Sequence, residues 1–253
     1  LNECYPNGVP YPVLKVSQYP LPKDLVRRMT EECDAVLVVE EGQPFIEDQL
    51  RGVMAGNAVI KGRLTGELPR TGELSPDELK QALGLPSDEA YEPCPDLASR
   101  PPQFCKGCGH RDVYTALNEV LKDYPNARVF GDIGCYTLGF LPPFKAIHSC
   151  VDMGASIGMA KGAADAGQWP AVAVIGDSTF THSGMTGLLD AINENSDIVV
   201  VISDNLTTAM TGGQDSAGTN KIEAICRGLG ISDEHLKVVT PLPKNMPEIT
   251  KTI

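Results

Sequence analysis

No apolar run in this chain approaches the about 20 residues that a membrane-spanning helix needs. The main runs, Ala35–Val39, Ala171–Ile175 and Ile198–Ile202, are strand-sized. Positive charge is also short: 21 Lys and Arg stand against 33 Asp and Glu, a net charge of −12. That balance repels phosphate backbones and anionic bilayers, so neither nucleic acid nor a membrane is an expected partner. There is no Walker loop, internal repeat or low-complexity tract, and no secretory signal. The reducing cytoplasm is therefore the expected location, where eight cysteines point to metal or redox work rather than disulfides. Cys4, Cys33, Cys94, Cys150 and Cys226 are scattered, and are expected to be small buried apolar residues. An initiator Met is missing too: Leu1 leads straight into a Pro/Gly-rich stretch, and a helix opening at Met246-Pro247 has no room to complete two turns. Both ends suit a piece of a longer polypeptide.

What is present is ordinary for a globular chain: 253 residues, 42% hydrophobic and 21% charged, enough for one large domain or two small ones. Residues 89–103 are Pro-rich and acidic without apolar periodicity, and read as a linker. Before it, in residues 1–88, helical spacing over Leu21–Cys33, an apolar run at Ala35–Val39 and helical spacing over Phe45–Met54 predict a small α/β domain. Ser75-Pro76-Asp77-Glu78 is a capping box that opens a helix through Leu83. After the linker, in residues 104–253, helices are predicted at Val113–Leu121, Ser156–Ala166, Met185–Asn193 and Lys221–Leu229. Strands are predicted at Ala127–Phe130, Ala171–Ile175, Ile198–Ile202 and Lys237–Val239. This alternation implies an α/β fold with a parallel sheet covered by helices on both faces. Ligands in such folds sit beyond the carboxyl ends of the strands.

Three strand ends carry candidate chemistry: Gly131-Asp132-Ile133-Gly134-Cys135, Gly176-Asp177-Ser178-Thr179 and Ser203-Asp204-Asn205-Leu206-Thr207. One strand–helix–strand unit separates Asp177 from Asn205, which brings both to the same sheet edge. A carboxylate and an amide oxygen there are hard ligands suited to Mg²⁺, an ion that shares its shell with phosphates and water. Gly176 admits close backbone, and the free N–H groups after Asp177 favour a diphosphate. Alone, Gly-Asp-Ser after a strand is as readily a helix-capping turn; the pair at this separation is far more specific.

Gly176-Asp177-Ser178 followed by Asp204-Asn205 resembles the thiamine-diphosphate motif, with Ser178 and Asp204 in place of the usual Gly and first Asn. Cys105-Lys106-Gly107-Cys108-Gly109-His110 is similar to a Cys-Pro-Gly-Cys-Gly-His run of 2-oxoacid:ferredoxin oxidoreductases, and Thr211-Gly212-Gly213-Gln214 is typical of that superfamily. The stretch Gly176 to Gly184, and an α/β domain ahead of the thiamine domain, resemble the alpha subunit of its indolepyruvate branch. The resemblance implies a thiamine-diphosphate-binding fold preceded by an incomplete domain like the C-terminal one of transketolase. It implies oxidative decarboxylation of an aryl 2-oxoacid, with coenzyme A taking the acyl group and ferredoxin the electrons. A beta subunit is the implied partner, in a dimer or heteromer.

By the same resemblance Asp177, Asn205 and the Thr207 carbonyl hold Mg²⁺. Ile133, Gly134, Cys135, Tyr136, Met153, Gly176, Ser178, Thr179, Ala209 and Met210 line the cofactor, although Met153, Ala209 and Met210 also suit plain core. Cys105, Cys108 and Cys135 resemble three ligands of a [4Fe–4S] cluster; zinc and a simple tight turn are the alternatives, and Cys226 is a candidate fourth thiolate. His182 faces substrate or diphosphate, or is only a capping or surface group. The family's pyrimidine-activating Glu belongs to a separate domain; Glu40 and Glu41 read as a solvated strand end instead. The chain is thus expected to be inactive alone. The competing readings are another 2-oxoacid such as pyruvate, a non-oxidative thiamine decarboxylase and a Mg²⁺/nucleotide scaffold.

Overall fold

The structure, a computed structural model, describes residues 1–87 and 94–253. The first part of the expected linker, residues 89–93, lies outside the described residues, and residues 94–103 form neither helix nor strand. The chain divides into two compact units, Leu1–Leu97 and Ala98–Ile253.

In the first unit, α1 (Lys23–Glu32) leads into β1 (Ala35–Leu37), then α2 (Phe45–Arg51), β2 (Val59–Lys61) and α3 (Pro76–Ala82). β1 and β2 pair in parallel, over a core of Leu21, Val26, Val38, Leu50, Ala58 and Ile60. β2 has three residues, too few to announce a period in the sequence. The capping box at Ser75 forms as its pattern predicts. The Glu40 carboxyl is not left to solvent as expected, while Glu41 is exposed. Glu40 accepts the Ile46 and Glu47 N–H groups, both at 2.9 Å, capping the start of α2, and Glu41 accepts Leu74 N–H at 2.8 Å. A carboxyl on two free helix N–H groups satisfies orphan donors and complements the helix dipole. Glu40→Ala is expected to destabilise the first unit by about 1–2 kcal/mol, seen as an earlier transition in a thermal melt. An unchanged melt would mean that water serves those donors equally well.

The second unit runs α4 (Gly109–Leu121), β3 (Arg128–Gly131), β4 (Ser149–Cys150), α5 (Ala155–Asp165) and β5 (Ala171–Gly176). A helical stretch follows without a loop: α6 (Asp177–Thr179), a π-turn at Phe180–Gly184 and α7 (Met185–Asn193). Then come β6 (Val199–Ser203), α8 (Ile222–Gly228) and α9 (Met246–Thr252). The sheet order is β4-β3-β5-β6, all parallel. β5 is buried at all six residues, as a central strand covered on both faces must be. Its side chains alternate between two cores. Val172 and Val174 join Tyr114 and Leu117 of α4, while Ala171, Ala173 and Ile175 join Ile157 of α5, Leu188 of α7 and Cys226 of α8.

Two expectations change. No strand forms at Lys237–Val239: Val238 is 66% exposed, and Pro241 packs against Gly109 at the start of α4 instead of letting the segment pair with β6. Of the scattered cysteines only Cys4 and Cys226 are buried; Cys33 is half-buried, and Cys94 and Cys150 are exposed. Cys94 lies in an irregular stretch and Cys150 at the end of the outermost strand β4, where nothing covers a side chain from both sides.

β3 has β4 on one side and β5 on the other. The chain leaves β3 toward the α4 face, where Tyr136 is buried, and leaves β5 toward the α5 face, where Phe180 is buried. Adjacent strands whose continuations part in this way open a crevice between their tips.

Candidate functional site: a cleft at the strand tips

A cleft of about 170 Å³ lies in that crevice. The β3 tip contributes Ile133, Gly134, Cys135 and Tyr136; the β5 tip contributes Gly176, Asp177, Ser178 and Thr179. Asn205, Thr207, Ala209 and Met210 close the side beyond β6, and Met153 stands opposite. His110, Ser203, Thr208 and Thr211 also line it, and sequence reasoning had assigned them no place there. His110 comes from the first turn of α4, 67 positions before Asp177, and only its place in the Cys-x-x-Cys-Gly-His run drew notice. A larger cleft, of about 1030 Å³, runs along β1 in the first unit, walled mainly by aliphatic side chains such as Val13, Val26 and Leu50. The smaller one is where polar groups converge.

Asp177 is 3% exposed. Burial raises its carboxyl above the ordinary value of 3.8; the Ser178 N–H opposes this and the Asp204 charge adds to it. A carboxyl kept from water without a cation is what a metal would relieve. Asn205 supplies the second half of the argument. The inward atom of the Asn205 amide lies 3.3 Å from Asp177 Oδ1 and 2.7 Å from the Thr207 carbonyl. With nitrogen inward the amide donates to both; with oxygen inward it accepts the Thr207 N–H at 3.3 Å and adds a third oxygen that a cation would bridge. Leu206, between the two ligand positions, has φ +60°, a conformation uncommon for a residue of its kind that turns the loop back toward Asp177. One carboxylate, one amide and one carbonyl oxygen form a donor set that fits Mg²⁺ completed by phosphate and water.

Proton and metal compete for Asp177. Since its pKa is raised, the apparent Mg²⁺ affinity is expected to fall, on acidification, at a higher pH than for an unburied aspartate. Titrations of Mg²⁺ across a pH series would read this; an affinity flat down to the ordinary carboxylate range would contradict it.

His182 stands outside the cleft. It is exposed, with Nδ1 2.9 Å from Ser183 Oγ, which in turn donates to the Met153 carbonyl at 2.6 Å. The π-turn, with Ser183 tied to Met153, leaves His182 exposed to solvent.

The Cys105–Cys108 run is a tight turn into α4. Gly107 takes φ +75°, Cys108 N–H reaches the Cys105 carbonyl, and Arg111 donates to the carbonyls of Phe104 and Cys105. Cys108 Sγ lies 3.1 Å from His110 Nδ1. His110 is stacked on Phe104, and burial lowers its pKa, favouring the neutral imidazole. Burial raises the Cys135 thiol, with Cys108, Cys105 and Asp177 adding to the effect, so these groups sense one another. Among the described residues, however, no three His, Cys, Asp or Glu side chains are arranged to hold a metal ion. Cys226, the candidate fourth thiolate, is buried in the core on the α5 face. The described thiols are therefore not preassembled as a cluster site.

Residues 132–238 match the family described as thiamine pyrophosphate enzyme, C-terminal TPP binding domain. Among curated proteins, the chain is 38% identical to the indolepyruvate oxidoreductase subunit IorA of Methanothermobacter thermautotrophicus, over 97% of this chain and 43% of that one. It is 36% identical to the subunit of the same name from Archaeoglobus fulgidus (91% and 40%), and 34% identical to that of Pyrococcus abyssi (90% and 41%). The chain thus spans about two fifths of the length of these relatives. Among solved structures, a 2-oxoglutarate:ferredoxin oxidoreductase from Magnetococcus marinus aligns with a TM-score of 0.40 at 19% identity, over 51% of this chain and 48% of that one. Along nearly all of its length the chain is similar to part of IorA, and residues 132–238 match the thiamine pyrophosphate-binding domain family.

Proposed function

We propose that this chain supplies the Mg²⁺–thiamine diphosphate half-site of an oxidoreductase that oxidatively decarboxylates an aryl 2-oxoacid of the indolepyruvate type. Coenzyme A takes the acyl group and ferredoxin the electrons. The observation that carries the reading is the convergence of Asp177, Asn205 and the Thr207 carbonyl in a cleft within the matched thiamine domain. Bound thiamine diphosphate would supply a carbon nucleophile and an electron sink, the chemistry that loss of CO₂ from a 2-oxoacid requires. This chain's residues bind and orient. Asp177 and Asn205 hold the metal; Ser178, whose hydroxyl is 2.5 Å from that of Thr208, lies in the first turn of the helical stretch at the diphosphate end. Tyr136, Met153 and Met210 wall the cleft.

The relatives' description as a subunit supports a multi-subunit enzyme, with a beta subunit completing the machinery. A separate domain would provide the pyrimidine-activating Glu, because Glu40 and Glu41 are engaged by backbone N–H groups. This chain alone is accordingly inactive in 2-oxoacid oxidation. Among the described residues no helix is long and apolar enough to cross a membrane, and the reading adopts the cytoplasm as its location. Calorimetric titration of thiamine diphosphate into the chain, with and without Mg²⁺, tests the half-site. Binding that requires Mg²⁺ is expected. No binding even with the remainder of the subunit restored would overturn the reading.

A further inference from the structure

Asp132 is fully buried at the tip of β3, behind the cleft rather than on its wall. One carboxyl oxygen accepts the Ser156 N–H at the start of the eleven-residue α5, at 3.2 Å, and the other accepts the Tyr136 hydroxyl in a short hydrogen bond. The loop between them is pinned from other elements. The Tyr114 hydroxyl, from α4, donates to the Tyr136 carbonyl at 2.7 Å, and the Thr179 hydroxyl, beyond β5, donates to the Ile133 carbonyl at 3.0 Å. The Tyr136 ring itself lies against two backbones. A Cβ on Gly176 would come within 2.6 Å of its Cε1, and one on Gly134 would come closer still.

Burying a carboxyl costs stability that an apolar pair would not. A phenylalanine would fill the space between Gly134 and Gly176 equally well. What the hydroxyl and the carboxyl add is a defined ring position, since a hydrogen bond to a buried carboxyl is both strong and directional. We propose that Asp132 is a positioning residue for the cofactor cleft: through the Tyr136 hydroxyl it fixes the ring between Gly134 and Gly176, and so sets the wall against which the cofactor lies beside Asp177. The proposal rests on the cleft being the thiamine diphosphate half-site.

Its test uses the chain as it is, with Asp132→Asn, Tyr136→Phe and the double variant, titrated with thiamine diphosphate in saturating Mg²⁺. Each single substitution is expected to weaken binding on the order of tenfold, the scale of a single buried hydrogen bond. The double variant should bind no more weakly than the worse single one, because both changes act on the same hydrogen bond, which Asp132→Asn weakens to an amide–phenol pair and Tyr136→Phe removes. Equal affinities, losses that multiply, or losses that follow the melting temperatures would overturn the proposal. A second readout needs no cofactor. With ring-labelled tyrosine, NMR of the parent is expected to resolve separate ε1 and ε2 signals for a Tyr136 ring that flips slowly, merging in Asp132→Asn. Signals that stay split in the variant would sink the positioning role. Split signals in a parent that binds no thiamine diphosphate would sink the cofactor reading instead.

Discussion

Replacing Asp177 with alanine is expected to abolish Mg²⁺-dependent binding of thiamine diphosphate, lowering affinity by roughly two orders of magnitude or more, beyond the 10–100-fold typical of losing an outer-shell partner of a metal. The effect is electrostatic. Asp177 is the buried charge of the trio, and without it the Asn205 amide and the Thr207 carbonyl offer only neutral oxygens. Asp177→Asn should lose binding similarly, yet its effect on the cofactor-free chain should run the other way. Burial raises the Asp177 pKa in the fold, so this group's contribution to stability is greatest at acid pH, where it is protonated, and is lost as pH rises through the raised value. An asparagine escapes that loss, and the variant is expected to melt at a higher temperature than the parent at neutral pH. Paired calorimetry and thermal melts check both halves. Retained Mg²⁺-dependent binding in Asp177→Ala would remove the metal assignment, and a lower melt in Asp177→Asn would mean that the carboxyl is already well satisfied without a metal.

That trade between stability and binding was partly legible in the sequence. Ala171–Ile175 is a continuous apolar run, and a carboxylate directly after a buried parallel strand has few places to be but the crevice beyond the sheet. Spacing alone brought Asn205 to the same edge. Alternation of helix and strand gave the layers, because each apolar stripe needs a cover. Where local pattern is silent, long-range geometry decides. His182 is five residues from Asp177 and outside the cleft, because a π-turn intervenes that no local pattern announced. His110 is far away in sequence and inside it, because α4 begins next to the β3 tip. Lys237–Val239 looked like a strand by composition, and lost out to the packing of Pro241 on Gly109. Asp132 was visible as a strand-end residue, but its tie to Tyr136 depends on a buried turn, and hydrogen bonds within a turn leave no periodic trace.

Gly176→Ala is expected to damage stability and cofactor binding together. Gly176 has φ −89° and ψ 163°, ordinary extended backbone that alanine adopts without strain. The requirement is steric. The added carbon would lie 2.6 Å from Cε1 and 3.0 Å from Cδ1 of the Tyr136 ring, and neither side can yield cheaply. Tyr136 is 2% exposed, backed by Gly134 and held through its hydroxyl by Asp132. Gly176 is paired with Ser203 in the sheet and carries Asp177 as its next residue. Overpacking of this kind typically costs about 1–3 kcal/mol, and either way of relieving it disturbs binding, by moving the ring off the wall or Asp177 off the metal position. The expected result is a lower melting temperature together with strongly weakened Mg²⁺–thiamine diphosphate binding. Tyr136→Ala separates the clash from other causes: in that background the ring is gone, and Gly176→Ala should add little further cost. If the two substitutions instead add in full, the ring is not what excludes a side chain at position 176, and the wall assigned to Tyr136 would have to be redrawn.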